Sequence, residues 1–309
     1  MPIQPPPPDV EDDQDSDLPA SVLLFNANDP TGASGLAADI SATTSVGAHA
    51  LPILTGAYIR DTAEIMDHHA FDEEAVTDQA RAILEDVPVQ VIKVGFAGSP
   101  ENLSAIAEIS SDYADVPLIA YMPNLSWWSE VQIDLYLDAF KELILPQATV
   151  LVGNHSTLWR WLLPDWSSEK NPTPRDIAMA ANALGVPYTL VTGIAAPDQM
   201  IENVLASPHS VLYSGRFERF EATFLGAGDT LSAAFAALLA TGTDLTEAVK
   251  EALAYLDRCL DAGFRPGMGN IIPDRLFWAQ ADDDDDDTAP EDSISADPFF
   301  KLPPHDTKH

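Results

Sequence analysis

Residues 21–46, SVLLFNANDPTGASGLAADISATTSV, run from a short apolar strand (Ser21 to Asn28) through a polar, Gly-bearing loop into a segment of helical spacing (Gly35 to Val46). A strand apolar along its whole length is buried on both faces, as in a parallel sheet covered by helices. The same alternation repeats outward from this unit. Apolar strands are expected at Leu51 to Ile59, Val89 to Phe96, Pro117 to Met122, Thr149 to Gly153 and Tyr188 to Thr192. Between them, helices are expected at Asp72 to Asp86, Glu101 to Ser111, about Glu130 to Leu145, and after Pro174. Ala75, Val76, Ala80, Ile83 and Leu84 make one apolar side of the first of these helices. Val211 to Ser214 and Arg216 to Ala222 read as a strand pair joined near Gly215, and helices from Asp229 and Leu245 close the domain. The pattern predicts an α/β fold with a mostly parallel sheet and helices on both faces. Ligands of such sheets lie beyond the C-terminal strand ends. The loops from Asn26 to Gly35, Arg60 to Thr62 and Gly95 to Ser99 fall there, as do Asn154, Gly193 and the 226–229 turn.

The chain has 309 residues, 46% of them apolar, which is ample for a globular core. Residues 1–20 hold the Pro5 to Pro8 run and six acids without Lys or Arg. Residues 281–309 hold the Asp282 to Asp287 run, ten acids in all, and two lysines. Both stretches read as disordered tails that cannot bury enough surface to offset chain entropy, leaving 21–280 as one domain. The net charge is −34, of which the tails carry −6 and −8 and the body −20. So acidic a body argues against nucleic acid and anionic membranes as partners. It also opposes nucleoside triphosphates unless Mg²⁺ or a local basic patch offsets the field. The one cysteine, Cys259, excludes an internal disulfide and a Cys-rich metal site, and its apolar helical surroundings suit a core or interface. With no membrane-spanning run and no secretory signal pattern, the cytoplasm is the default expectation.

Gly226-Ala227-Gly228-Asp229-Thr230-Leu231-Ser232-Ala233-Ala234 joins a flexible turn to an apolar helix. Glycines let the backbone come close to a bound group, and the free N–H groups of the first helical turn, with the helix dipole, favour an anion. Asp229 adds a carboxylate that a simple phosphate cradle does not need. An anion hole with a base beside it suits phosphoryl transfer onto a hydroxyl. The plainer reading is that Asp229 only caps the helix. Other nucleotide sites are excluded by inspection: none of the six lysines is followed by Ser or Thr, so there is no Walker A loop, and Leu231 stands where a dinucleotide fingerprint needs its last glycine. No His pair has zinc-site spacing with a third ligand, and the adjacent His68 and His69 read as an exposed loop pair.

The loop Asn28-Asp29-Pro30-Thr31-Gly32-Ala33-Ser34-Gly35-Leu36-Ala37-Ala38-Asp39 resembles the first loop, D-P-S-G-G-A-G-I-Q-A-D, of the hydroxymethylpyrimidine/phosphomethylpyrimidine kinases of thiamin biosynthesis. Gly47-Ala48 and Leu54-Thr55 follow at that family's distances. Lys93-Val94-Gly95 is similar to its K-I-G, and Leu145-Pro146-Gln147-Ala148 to its L-P-x-A. Gly226 to Ala234 resembles its G-T-G-C-T-L-S-A-A, and Gly267-Met268-Gly269 with Pro273 its closing segment. The likeness spans about 21–280, in order.

The resemblance implies a ribokinase-like three-layer αβα sandwich with a mostly parallel central sheet. It further implies ATP with Mg²⁺ as donor and a small-molecule acceptor, hydroxymethylpyrimidine or its monophosphate. Asp229 stands where this family commonly has Cys and the wider ribokinase-like superfamily its catalytic Asp. It is the expected general base, with Gly226, Ala227 and Gly228 as anion hole. Asp29, Gly32, Arg60 and Lys93 are expected at the acceptor, and Asn154, Thr192 and Gly193 at the nucleotide. No metal ligand is assigned, and a homodimer is implied by resemblance only. Four positions depart from the pattern. Arg60 replaces the Gln that reads the pyrimidine and, as a pure donor, cannot accept from an aminopyrimidine. Tyr121 replaces a carboxylate, Thr157 a Glu and Thr192 a Lys. These leave two alternatives open: a catalytically weakened regulator or scaffold, and a kinase for a pyridoxine-like ring. At single residues, Arg60 reads as an anion contact or as a surface ion pair with Asp61 or Glu64. Lys93 reads as a phosphate contact or a strand-end lysine reaching solvent. Trp127-Trp128 and the Trp159, Trp161, Trp166 group read as a lid, a dimer face or core.

Overall fold

The computed structural model describes residues 18–279. Of the two expected tails, only residues 18–20 fall within that range, and 281–309 lies wholly outside the described residues. One compact unit extends to Phe277.

Nine strands are formed: β1 (Ser21–Asn28), β2 (His49–Arg60), β3 (Ile65–Ala70), β4 (Val91–Val94), β5 (Leu118–Met122), β6 (Val150–Asn154), β7 (Tyr188–Ala196), β8 (Met200–Ala206) and β9 (Val211–Glu218). They make one sheet in the order β3-β2-β1-β4-β5-β6-β7-β8-β9. The six strands from β2 to β7 in that order run parallel. The three outer pairings, β2 with β3, β7 with β8 and β8 with β9, are antiparallel.

Alternate side chains of each central strand feed two cores. Leu23, Phe25 and Ala27 of β1 face a layer built by α2 (Glu73–Leu84), α3 (Pro100–Asp112), α4 (Glu130–Ala139), α5 (His155–Leu162) and α6 (Pro174–Asn182). Val22 and Leu24 face α1 (Gly35–Ser45), α7 (Ala227–Ala240) and α8 (Leu245–Asp261). Each such aliphatic side chain, fully removed from water, contributes about 1.5–3 kcal/mol before chain entropy is counted. Local signals fix the helix starts: Ser99 caps α3 ahead of Pro100, and Thr173 and Asp176 form a reciprocal capping box around Pro174. Every residue of α7 from Asp229 to Leu238 is buried. That explains its apolar, Ala-rich composition: it lies between the sheet and two other helices.

Two expectations fail in detail. Val211 to Ala222 is not a strand pair; Gly215 sits mid-strand in β9, opposite Asn203 of β8. The strand's partner is β8, whose Glu202 and Asn203 interrupt the apolar signal. β3 was also unforeseen, since IMDHHA is a polar, mostly exposed edge strand. His68 and His69 therefore lie in a strand, not a loop. His68 bonds Gly98 O through Nε2 at 2.9 Å and packs on Phe96, Trp127 and Trp128. Trp127 and Trp128 accordingly belong to an aromatic cluster with Tyr58, Phe96 and Tyr136, and Trp161 is buried on Phe140. Cys259 is a buried core residue.

Candidate active site

The 226–229 turn opens α7. Gly226 is the N-cap at φ 70°, and a Cβ there would collide with Ala33 O, so both its conformation and its neighbour demand glycine. The first helical bond is Thr230 N to Gly226 O, 2.9 Å. The N–H groups of Ala227, Gly228 and Asp229 precede it and have no helical acceptor. Asp229 does not cap: no side chain caps this helix.

Instead, the Asp229 carboxylate reaches the centre of the sheet. Its Oδ1 accepts from Asn26 Nδ2 at 2.9 Å and lies 3.5 Å from Lys93 Nζ. The same Asn26 Nδ2 donates to Asp39 Oδ2 at 2.9 Å, and Lys93 Nζ is 2.5 Å from Asp39 Oδ1. Asn26 Oδ1 is itself held by the N–H groups of Ala27 and Phe96. Two carboxylates, one amide and one ammonium thus form a closed network behind the turn. Lys93 and Asp39 are wholly buried, and burial lifts Asp39 to about 6 against the pull of Lys93, with the charge of Asp229 adding to the rise. Asp229 Oδ2 takes no hydrogen bond among the described residues. One oxygen is fixed and the other is available to accept a proton.

Lys93, expected at the acceptor or reaching solvent, is wholly buried as an internal partner of Asp39 and Asp229 and does not reach solvent. Asp29, also expected at the acceptor, is engaged within its own loop. Its Oδ1 takes the N–H and hydroxyl of Thr31 at 2.8 and 2.7 Å, and its Oδ2 the N–H and hydroxyl of Ser34 at 2.9 and 2.5 Å. It shapes the loop between β1 and α1 and keeps no oxygen for an acceptor molecule. Arg60 closes on it, with Nη1 3.3 Å from Asp29 Oδ2 and 3.2 Å from Ser34 Oγ. Its ion pair is thus with Asp29 and not with the carboxylates of Asp61 or Glu64; from Asp61 it takes only the carbonyl, at 3.0 Å.

Arg275, unforeseen in the sequence, fastens this loop to α7. Nε donates to Thr230 Oγ1 at 2.9 Å, Nη1 to Gly32 O at 3.2 Å, and Nη2 to Ala33 O. Gly32 thus gives its carbonyl to the scaffold. Burial pulls Arg275 below the usual arginine range, with the charge of Asp229 opposing the shift. The sole sequence signal was a lone basic residue following the Gly267 to Pro273 segment.

The expected nucleotide-side residues come together on adjacent strand ends, where Asn154 of β6 pairs in register with Thr192 of β7. Asn154 Oδ1 caps α5 through Ser156 N at 3.0 Å, Thr192 Oγ1 reaches Gly153 O at 3.3 Å, and Gly193 N donates to Asn203 Oδ1 at 2.9 Å. Thr157 lines a cavity of about 330 Å³ with Met122, Leu125, Arg160 and Trp161. A polar cavity of about 680 Å³ on the segment leading into the turn is lined by Arg219 and Arg265 together with Glu221.

Comparison with known proteins completes this picture. The family model described as phosphomethylpyrimidine kinase matches residues 29–274, from the loop at Asp29 to the residue before Arg275. The chain belongs to the phosphomethylpyrimidine kinase family. Relatives include the hydroxymethylpyrimidine/phosphomethylpyrimidine kinase of Mycobacterium leprae, 27% identical over 278 residues, covering 84% of this chain and 95% of that protein. The like-named Mycobacterium tuberculosis protein is 28% identical over 274 residues, covering 84% and 94%. Among solved structures, an ADP complex of Bacillus subtilis pyridoxal kinase superposes with a TM-score of 0.74 at 20% identity, covering 85% of this chain and 100% of that one. Staphylococcus aureus pyridoxal kinase in complex with AMP-PCP and pyridoxal gives 0.73 at 18%, covering 84% and 94%. Those likenesses establish the ribokinase-like fold of this phosphomethylpyrimidine kinase family member. Among its described residues, no helix is long and apolar enough to cross a membrane.

Proposed function

We propose that this chain transfers the γ-phosphoryl group of ATP to the hydroxymethyl group of hydroxymethylpyrimidine, to its monophosphate, or to both, as a step in thiamin synthesis. The observation that carries this reading is the pairing at the start of α7. Among the described residues, Asp229 Oδ2 is free beside three unpaired N–H groups, while Oδ1 is held by Asn26 and Lys93. The acceptor oxygen bonds to the γ-phosphorus as its proton passes to Asp229 Oδ2, and the bond to the leaving ADP breaks. The amides of Ala227, Gly228 and Asp229 face the charge that gathers on the transferring oxygens. Asn154, Thr192, Gly193 and the cations Arg219 and Arg265 are offered to the nucleotide. Among the described residues no three His, Cys, Asp or Glu side chains cluster to form a metal cage. Mg²⁺, where bound, would be held mainly by the nucleotide phosphates and would offset their charge against the acidic body. Arg60 borders the acceptor side, where its donors favour an acceptor presenting lone pairs or a phosphate.

The test is calorimetric titration of Mg-ATP followed by an ADP-release assay with hydroxymethylpyrimidine, its monophosphate and pyridoxine. Turnover with either pyrimidine is the expected result. Nucleotide binding without turnover of any acceptor would establish the regulator reading instead. In the same assay Asp229→Asn should abolish turnover and leave nucleotide affinity within about threefold, a difference of under ~0.7 kcal/mol. Unchanged turnover would remove Asp229 from the chemistry.

A further inference from the structure

We infer that Tyr121 is a further catalytic residue: its phenolic O–H, set against Gly228 in the first turn of α7, donates a hydrogen bond to an oxygen of the migrating phosphoryl group. The inference rests on the proposed function and deepens it. Tyr121 lies near the C-terminal end of β5, with its ring among the residues under α7 and its register partner Val152 on β6. The approach to the turn is close enough that a Cβ on Gly228 would collide with the Tyr121 hydroxyl. Gly228 therefore serves to admit this phenol to the turn. The Lys93 ammonium lies 5.5 Å from the ring centroid, so the ring is braced from the side of the buried network.

The hydroxyl has no hydrogen-bond partner among the described residues. The neighbouring side-chain donors are committed: Thr230 Oγ1 to Gly226 O, Asn26 to two carboxylates, Lys93 to Asp39. Tyr121 is half-buried and its hydroxyl is not among the buried polar atoms without a partner, so the O–H stays open to a group bound at the turn, a contact phenylalanine could not make. Burial, then the charges of Asp229 and Asp39, push the phenol well above its ordinary value. It stays a protonated donor wherever the enzyme works. A neutral O–H beside three N–H groups extends the anion hole to a fourth donor without placing a second cation beside Asp229.

Tyr121→Phe in the full chain tests this, with thermal unfolding to confirm an intact fold. The expected result is a kcat lowered roughly 100- to 1000-fold, as for loss of one oxyanion donor, with KM for ATP and acceptor almost unchanged. Affinity for ADP with aluminium fluoride, a mimic of the transferring group, should fall by a similar factor while affinity for ADP alone stays constant. A kcat within about twofold of the parent together with undiminished fluoride-complex binding, about 0.4 kcal/mol or less, would overturn the inference. Asp229→Asn run alongside separates the two readings. Turnover lost there but kept in Tyr121→Phe sinks the role of Tyr121 and leaves the kinase standing. No turnover in the parent chain sinks the kinase, and the fluoride-complex titration then decides Tyr121 alone.

Discussion

Asp229 was legible because its signal is contiguous: glycine, any residue, glycine and an acid at a helix start. The network that holds it was not, because Asn26, Asp39, Lys93 and Asp229 meet only through sheet order. β4 lies beside β1, which brings Lys93 opposite Leu24. A clue was present, since a lysine inside the apolar VIKV strand cannot be buried without an anionic partner, and Asp39 in the Ala-rich first helix is the matching half. Asp39 also yields a pH test. Its folded value near 6 exceeds the ordinary 3.8, so the folded state binds the proton more tightly than the unfolded chain does. Its contribution to stability is therefore greatest at low pH and declines as pH rises from about 4 to about 6, then levels off. Asp39→Asn removes this dependence. The stability of the variant relative to the parent should rise by up to about 3 kcal/mol between pH ~4 and pH ~7 in urea unfolding. A pH-independent difference would show that Asp39 is not the group that titrates.

At the scale of elements, most central strands and helices were foreseen, because burial on both faces leaves an unbroken apolar signal, though β4 is shorter than expected, β7 longer, and α5 was not foreseen. The edges were not. β3 and β9 face solvent, where the pattern fades, and β8 carries polar residues at the point where Asn203 supports Gly193. The start of α7 is where local conformation and tertiary contact coincide, so it tolerates least. Gly226→Ala must hold φ at 70° with a methyl group pressed on Ala33 O. We expect a loss of more than about 2 kcal/mol in thermal or chemical unfolding, accompanied by loss of nucleotide binding. A variant as stable as the parent would mean that the loop from Asp29 to Ser34 and α7 are not locked together as described.

Over the whole molecule, charge and architecture pull in opposite directions. The sheet brings phosphate-seeking groups to one edge, while the full chain carries −34. Repulsion of this kind acts over several ångströms of water and is screened by salt, unlike the buried contacts of the site. Raising monovalent salt from about 50 to about 500 mM shortens the screening length roughly threefold. It should lower KM for Mg-ATP with little change in kcat. A KM that rises with salt would instead show that the cations near the turn dominate attraction of the nucleotide.

The guanidinium of Arg275 grips Gly32 O, Ala33 O and Thr230 Oγ1, groups drawn from opposite ends of the polypeptide. On the ribosome, this one latch can close only after almost the last stretch of the body has emerged. A nascent chain stalled before that arginine would already contain the acid and its amides, yet its opening loop would still be unlatched.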